Sequence, residues 1–327
     1  MGIVLSLYFG FSQYYPPPPT WSPKEMPDLT GQVVIVTGGN TGLGKLTVKE
    51  LLEHNARVYI AARNRKSSEE TIEELRLQTG KEAMFLHLDL ADLPSVKSCA
   101  EEFMSKEAQL HLLYNNAGIM EPPVRQLTAQ GFDLQFGVNV LGHFYLTKLL
   151  LPILLSTARV SPEKHVRVVN LSSLAHVYFP YLNFNSFKDS PVRRTLGIIP
   201  SMLYSQSKFG NVVFSKELAR RYGEQGIVSM SLHPGAIDTS LWTAGAMPWI
   251  IVFLARLFVI QSLEYGAYTQ LYAGTAPEAA EMNGQHFIPW ARHGKAHQNS
   301  EDAVLGRQLW EYMEEQVKNV ETRIHDT

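Results

Sequence analysis

The chain has 327 residues, of which 45% are hydrophobic and 18% charged. That composition excludes a disordered, collagen-like or disulfide-scaffold protein. Lys and Arg number 29 against 31 Asp and Glu, for a net charge of -2, so there is no basic field of the kind that holds nucleic acid. The single cysteine, Cys99, can form no internal disulfide and fits a reducing, cytoplasmic compartment.

Residues 1–30 read as an apolar, proline-rich arm. The stretch Gly2 to Phe11 is shorter than the ~20 residues a bilayer span needs. It also lacks the basic region and cleavage site of a signal peptide. Met1-Gly2-Ile3-Val4-Leu5-Ser6 matches the short myristoylation pattern. Pro16 to Pro19 favour an extended segment, packed on the domain or on a partner. The domain is expected to start near Asp28 to Gly31 and to run over 31–320, leaving 321–327 as a tail.

From Gln32 the chain alternates. Val33 to Val36 is a β-branched apolar run and predicts a buried strand. A glycine-rich turn and a helix over 42–55 follow, then strands at Val58–Ala61 and Met84–Leu88 around a charged helix over 66–79. Pro94 suits the first turn of the next helix. Leu110–Tyr114 reads as strand four, 128–157 as one long helix, and Val166–Leu171 as strand five. A helix over 201–223, a strand at Ile227–Leu232, a last strand at His286–Ile288 and a helix over 302–319 complete the series. Strict alternation predicts an α/β fold: a Rossmann-like, doubly wound parallel sheet in a single domain.

Polar clusters sit at the expected carboxyl ends of these strands. After strand one comes Thr37-Gly38-Gly39-Asn40-Thr41-Gly42-Leu43-Gly44. Glycines there let the backbone turn sharply and approach a pyrophosphate, and the next helix N-terminus offers free N–H groups. The spacing is not the standard dinucleotide fingerprint, so a tight turn without a ligand remains open on this motif alone. Asp89 follows strand three, where a carboxylate can meet an adenine amino group. Asn115-Asn116-Ala117-Gly118 follows strand four, and Ser172-Ser173 follows strand five. Tyr204-Ser205-Gln206-Ser207-Lys208 opens a helix. His233-Pro234-Gly235 follows strand six, with Ile237 and Thr239 just beyond. In open α/β sheets this is the edge where ligands bind.

This ordered set resembles the short-chain dehydrogenase/reductases over about residues 31–320. The segments Asn115 to Met120, Val138 to Phe144 and Ser172 to His176 resemble most closely the retinol dehydrogenase-like branch. The resemblance implies an oxidoreductase that interconverts a carbonyl and an alcohol on a lipophilic substrate such as a retinoid, steroid, terpenoid or polyketide. It implies Asn139, Ser173, Tyr204 and Lys208 as catalytic residues. Nucleotide contacts are implied at Gly38, Asn40, Thr41, Gly42, Leu43, Gly44, Asn116, Ala117, Gly118, Pro234, Gly235, Ile237 and Thr239, with Tyr204 and Lys208 touching the cofactor as well.

The chemistry of the residues supports those roles. A tyrosine has a free pKa of ~10 and is a sluggish base at neutral pH. Lys208 stands four positions on, on the same helix face, where its charge is expected to lower the phenol pKa. Tyr204 is then the proton donor in reduction, with Ser173 beside it on the substrate oxygen. Asn139 matches the family asparagine of a water-mediated proton relay. After strand two stands Ala61-Ala62-Arg63 with no acid, so Arg63 is expected on a 2′-phosphate and the cofactor is expected to be NADP(H) rather than NAD(H).

Ser173 and Tyr204 are 31 positions apart, a longer spacing than many family members have. Residues 178–200 therefore read as an insertion rich in Tyr178, Phe179, Tyr181, Phe184 and Phe187. It either lines a substrate pocket or packs on the domain. Residues 240–262 are apolar but interrupted by Arg256; the resemblance implies a substrate lid there, and the apolar run equally suits a peripheral membrane contact or burial in a homodimer interface or the core. The scattered histidines and lone cysteine predict no metal site. The alternative function is a non-catalytic NADP(H)-binding regulatory or scaffold protein on the same fold.

Overall fold

Buried β-branched runs build the sheet, and polar residues mark where each strand stops. The structure is a computed structural model that describes residues 12–161, 166–237 and 262–325. Thr239, nearly all of the expected lid and the first eleven residues of the arm lie outside the described residues.

The strands are β1 (Val33–Thr37), β2 (Arg57–Ala62), β3 (Met84–His87), β4 (Leu112–Asn115), β5 (Val166–Leu171), β6 (Ile227–Leu232), β7 (His286–Ile288) and β8 (Arg292–Gly294). They form one sheet in the order β3-β2-β1-β4-β5-β6-β7-β8. The pairs from β3 through β7 are parallel. β8 turns back antiparallel on β7. The wholly parallel sheet expected from the sequence is corrected at that edge, because Arg292-His293-Gly294 is too short a run to show a period.

The helices are α1 (Gly42–Glu53), α2 (Arg65–Thr79), α3 (Leu93–Lys106), α4 (Gly142–Val160), α5 (Pro191–Leu196), α6 (Pro200–Tyr222), α7 (Leu263–Thr275) and α8 (Ala303–His325). One face of the sheet is covered by α3, α4, α6 and α8, and the other by α1, α2 and α7. The apolar stretch Leu134–Val160 is long enough to cross a membrane, yet 72% of its most apolar window is buried inside the domain. It is the central helix of that first layer.

Three features of the helices differ from the expectations. The helix expected from 128 starts only at Leu134, because Thr128 to Phe132 close a turn around Gly131 at φ +79°. Asp133 then caps the helix by accepting from the N–H groups of Gln135 and Phe136 at 3.0 Å. The chain passes through a π-turn at Gly137–Leu141 before α4 begins. α8 continues through His325, past the residue 320 where the domain was expected to end.

The N-terminal boundary also moves. Trp21, Met26 and Leu29 are buried in the second core, and the Trp21 ring meets Tyr272 edge-on at 5.5 Å. The domain thus begins well before Asp28. The insertion divides. Phe187 is fully buried and stacks on Phe136 at 3.8 Å, and Phe184 packs on Phe187 and Tyr312. These rings belong to the core rather than to a pocket, and the insertion carries a helix of its own, α5.

Candidate active site

The sheet order reverses between β1 and β4, and a crevice opens outside their carboxyl ends. Thr37 at the end of β1 closes the gap. Its Oγ1 accepts from the N–H groups of Asn116 and Ala117 at 2.9 Å, while Asn116 Nδ2 donates to Thr37 O at 2.8 Å. Thr37 Oγ1 also lies 2.9 Å from Nε2 of the buried His143. These bonds lock the glycine-rich turn against the Asn115–Gly118 segment.

A cleft of about 320 Å³ lies over this junction. Gly38, Asn40, Thr41, Gly42, Leu43, Gly44, Arg63, Asp89, Asn116, Ala117 and Gly118 all line it, with Asn64 and Leu90 as further walls. Gly38 stands at φ +65°. A Cβ at Gly44 would sit 2.3 Å from the Gly38 carbonyl oxygen, so only glycine allows this close turn. Thr41 precedes α1 without a side-chain cap bond, which leaves the first N–H groups of α1 available to an anion. The residues present fit a dinucleotide's phosphates. Arg63 is exposed at the rim, whereas Asn40 is drawn toward α2 by a 3.2 Å bond from its Nδ2 to Ser67 Oγ.

A second cavity, of about 260 Å³, adjoins the cleft and shares Leu43, Asn116, Gly118, Ile119 and Leu171 with it. Its walls include Ser173, Tyr204, Lys208, Pro234, Gly235 and Ile237. α6 places Tyr204 and Lys208 one turn apart. The Ser173 hydroxyl lies beside the Tyr204 phenol and favours its ionised form, while it accepts from Ala175 N at 3.2 Å. Ser172 instead turns inward and donates to the Lys208 carbonyl at 2.7 Å. Lys208 Nζ donates to Leu171 O at 3.0 Å and lies 5.9 Å from the Tyr204 ring centre.

Burial governs the titration of this pair. It pushes Tyr204 up to about 12, opposed by the Ser173 hydroxyl and reinforced by the Glu121 charge. It pulls Lys208 down to about 8. The expected lowering of the phenol by Lys208 is therefore corrected: both groups lose more hydration than the one gains from the other.

Asn139 does not reach either cavity. It is fully buried in the π-turn. Its Oδ1 accepts from Ile119 N at 2.9 Å, and its Nδ2 donates to Ile119 O at 3.0 Å and to Ser207 Oγ at 2.9 Å. Its carbonyl accepts from His143 Nδ1 at 3.1 Å. The side chain thus holds the shared Gly118–Ile119 wall against α6. π-turns of this kind often mark functional positions.

Three lining residues escaped sequence reasoning. Glu121, at φ +50°, places a largely buried carboxyl on the cavity wall, where desolvation raises its pKa. Gln13 and Tyr14 arrive from the N-terminal segment, and Tyr14 hydrogen-bonds Tyr178 of the insertion. Tyr178 is thus the insertion's aromatic wall. No local pattern marks Gln13 or Glu121, because neither belongs to a strand end.

Keeping Lys208 charged in a dry site should cost stability. Its pKa is about 8 folded and about 10.5 unfolded. Between those values the unfolded chain binds more protons, so stability rises with pH there, and below about pH 8 the penalty is complete. Lys208→Met is therefore expected to melt a few degrees higher at pH 7, with the gap narrowing from pH 8 to 10.5. Leu171 O keeps the Asn211 amide as a donor. A lower melting temperature for the variant at pH 7 contradicts this.

Similarity to known proteins agrees with the geometry. Residues 32–184 match the family model for short chain dehydrogenases. A short-chain dehydrogenase/reductase of Armillaria gallica is 54% identical over 313 residues, covering 94% of this chain and 97% of that one. Retinol dehydrogenase 11 of Mus musculus is 37% identical over 294 residues, 86% of this chain and 85% of the relative. A crystal structure of an uncharacterized protein from Mycobacterium paratuberculosis superposes with a TM-score of 0.68 at 30% identity, covering 91% and 97% of the two chains. With this sheet, this strand-end crevice and these relatives, the chain belongs to the short-chain dehydrogenase/reductase family and has retinol dehydrogenase-like kin.

Proposed function

We propose that the protein is an NADP(H)-dependent oxidoreductase interconverting a carbonyl and an alcohol on a lipophilic substrate. One observation carries this reading: Ser173, Tyr204 and Lys208 meet on the wall of a cavity lined by Leu43, Ile119, Met120, Leu174 and Ile237, directly beside the glycine-rich cleft. A nicotinamide dinucleotide would supply the hydride. The N-terminus of α1 and the Gly38–Gly44 turn would hold its pyrophosphate, Asp89 its adenine amino group and Lys208 its ribose.

Tyr204 and Ser173 both hydrogen-bond the substrate oxygen. In reduction the Tyr204 phenol gives that oxygen its proton, and its raised pKa keeps the proton in place until then. Lys208, cationic at neutral pH, stabilises the phenolate that remains. Oxidation runs the same transfer backwards. Asn139 acts by holding the wall between the two cavities. The apolar lining favours retinoid-like, steroid-like, terpenoid or polyketide carbonyl compounds over small polar ones.

The test is NADPH consumption over a panel of lipophilic aldehydes and ketones that includes retinal, run beside NADH. Turnover of a panel member supports the reading. Tight NADPH binding without turnover across the panel would sink it and favour a non-catalytic binding protein. For cofactor choice, Arg63→Glu should weaken NADPH by about tenfold or more while NADH changes little, because a carboxylate repels the 2′-phosphate that Arg63 attracts. Equal loss for both nucleotides in a binding titration would refute that role.

A further inference from the structure

The N-terminal segment carries a buried side chain that the proposed reaction does not use. Gln13 is 1% exposed and lines the cavity that also holds Tyr204. Its Oε1 lies 2.7 Å from Nε2 of His233. The direction of this bond follows from His233 itself. Burial holds that imidazole well below its usual pKa, so it is neutral, and its Nδ1 accepts from Gly235 N at 3.3 Å. A neutral imidazole with Nδ1 accepting carries its proton on Nε2. Nε2 therefore donates, and the Gln13 carbonyl oxygen accepts.

That fixes the amide's other end. Gln13 Nε2, with two N–H groups, is buried and has no hydrogen-bond partner among the described residues. A buried amide donor is rarely left unpaired unless something else completes it. The next residue, Tyr14, also lines the cavity and bonds Tyr178 of the insertion, and Arg292 donates to the Ser12 carbonyl at 3.0 Å, so three successive residues of this segment are tied to the domain.

Resting on the carbonyl-reductase reading, we propose that Gln13 is a specificity-determining residue whose amide N–H donates to a second oxygen on the substrate, apart from the carbonyl that reacts. The substrate class is thereby narrowed. It is an oxygenated lipophilic carbonyl compound, bearing a keto, ether, ester or hydroxyl acceptor on its apolar frame, in preference to a plain hydrocarbon aldehyde or ketone.

The probes are 2-undecanone and its isosteric oxa-analogues, in which an ether oxygen replaces one methylene at successive positions from mid-chain to the far end. An ether accepts a hydrogen bond and cannot itself be reduced. The unsubstituted protein should favour one analogue over the parent ketone by about tenfold in kcat/KM, carried by KM. Gln13→Glu keeps an oxygen for His233 and removes the donor; Gln13→Met removes both. Both variants should lose the preference, and Gln13→Glu decides the matter if Gln13→Met fails to fold. A purely structural Gln13, serving only to hold His233, would leave the preference intact in Gln13→Glu, and that result overturns the proposal, as does the absence of any preferred analogue in the unsubstituted protein. Calorimetric titration of the NADP⁺-loaded protein with the same compounds reads the preference without turnover. Preferential binding with no reduction of any ketone would retain the Gln13 contact and overturn the functional reading instead.

Discussion

Replacing Tyr204 by phenylalanine should lower kcat for carbonyl reduction by about 10²–10⁴-fold, the range for removing a positioned proton donor. The change deletes one oxygen and leaves the ring. The loss should fall on kcat more than on KM, since the proton passes only as the alkoxide develops. Ser173 remains to bind the substrate oxygen, so binding persists while chemistry fails. NADPH affinity should change far less than turnover, because the glycine-rich turn, Asp89 and Arg63 are untouched. Steady-state kinetics and a nucleotide titration on the same preparation check both halves. Retained turnover in Tyr204→Phe would remove Tyr204 from the proton path whatever the substrate.

The largest expected effect on stability lies away from that site, at Arg193. Its side chain is 2% exposed and faces the Asp133 side chain, 4% exposed, with Nε to Oδ2 at 2.9 Å. Its terminal nitrogen also donates to the carbonyls of Val124 and Gln126. These bonds fasten α5, inside the insertion, to the segment that caps the turn before Asn139. Gln135 in that turn accepts from Glu121 N at 2.9 Å on the cavity wall. Arg193→Met should destabilise the protein by about 3–5 kcal/mol, the usual consequence of stranding one buried charge. The partner can be neutralised without losing its cap: Asp133→Asn keeps an oxygen for the N–H groups of Gln135 and Phe136. The double variant Arg193→Met, Asp133→Asn should therefore be more stable than Arg193→Met alone, in a urea titration with fitted slopes compared. A double variant no better than the single would show that the carbonyl contacts, rather than the charge pair, hold the insertion.

The two sites differ in how visible they were before the fold was known. Tyr204 and Lys208 follow from a four-residue spacing that any helix converts to one face. Arg193 and Asp133 are separated by 60 positions, and nothing local to either announces a pair. The same contrast divides the insertion. Its aromatic residues were legible as apolar, yet apolarity could not tell Tyr178, on the cavity wall, from Phe187, stacked in the core.

By itself the sequence determined the alternating strands and helices, the glycine-rich turn after β1, and the polar residues at successive strand ends. Those features rest on local physics: β-branched runs pack as buried strands, glycine alone permits the turn at Gly38 and Gly44, and helical pitch aligns Tyr204 with Lys208. The tertiary structure decided which strand ends are neighbours, since strand order is set by how helices cover two faces of one sheet. It brought Gln13 and Glu121 to the cavity, kept the Asn139 side chain behind its wall, and drew Trp21 into the core. It also reversed the expected titration of Tyr204. Proximity to Lys208 could be counted along the helix, but desolvation depends on every element packed around the phenol, and that exists only once the chain has folded.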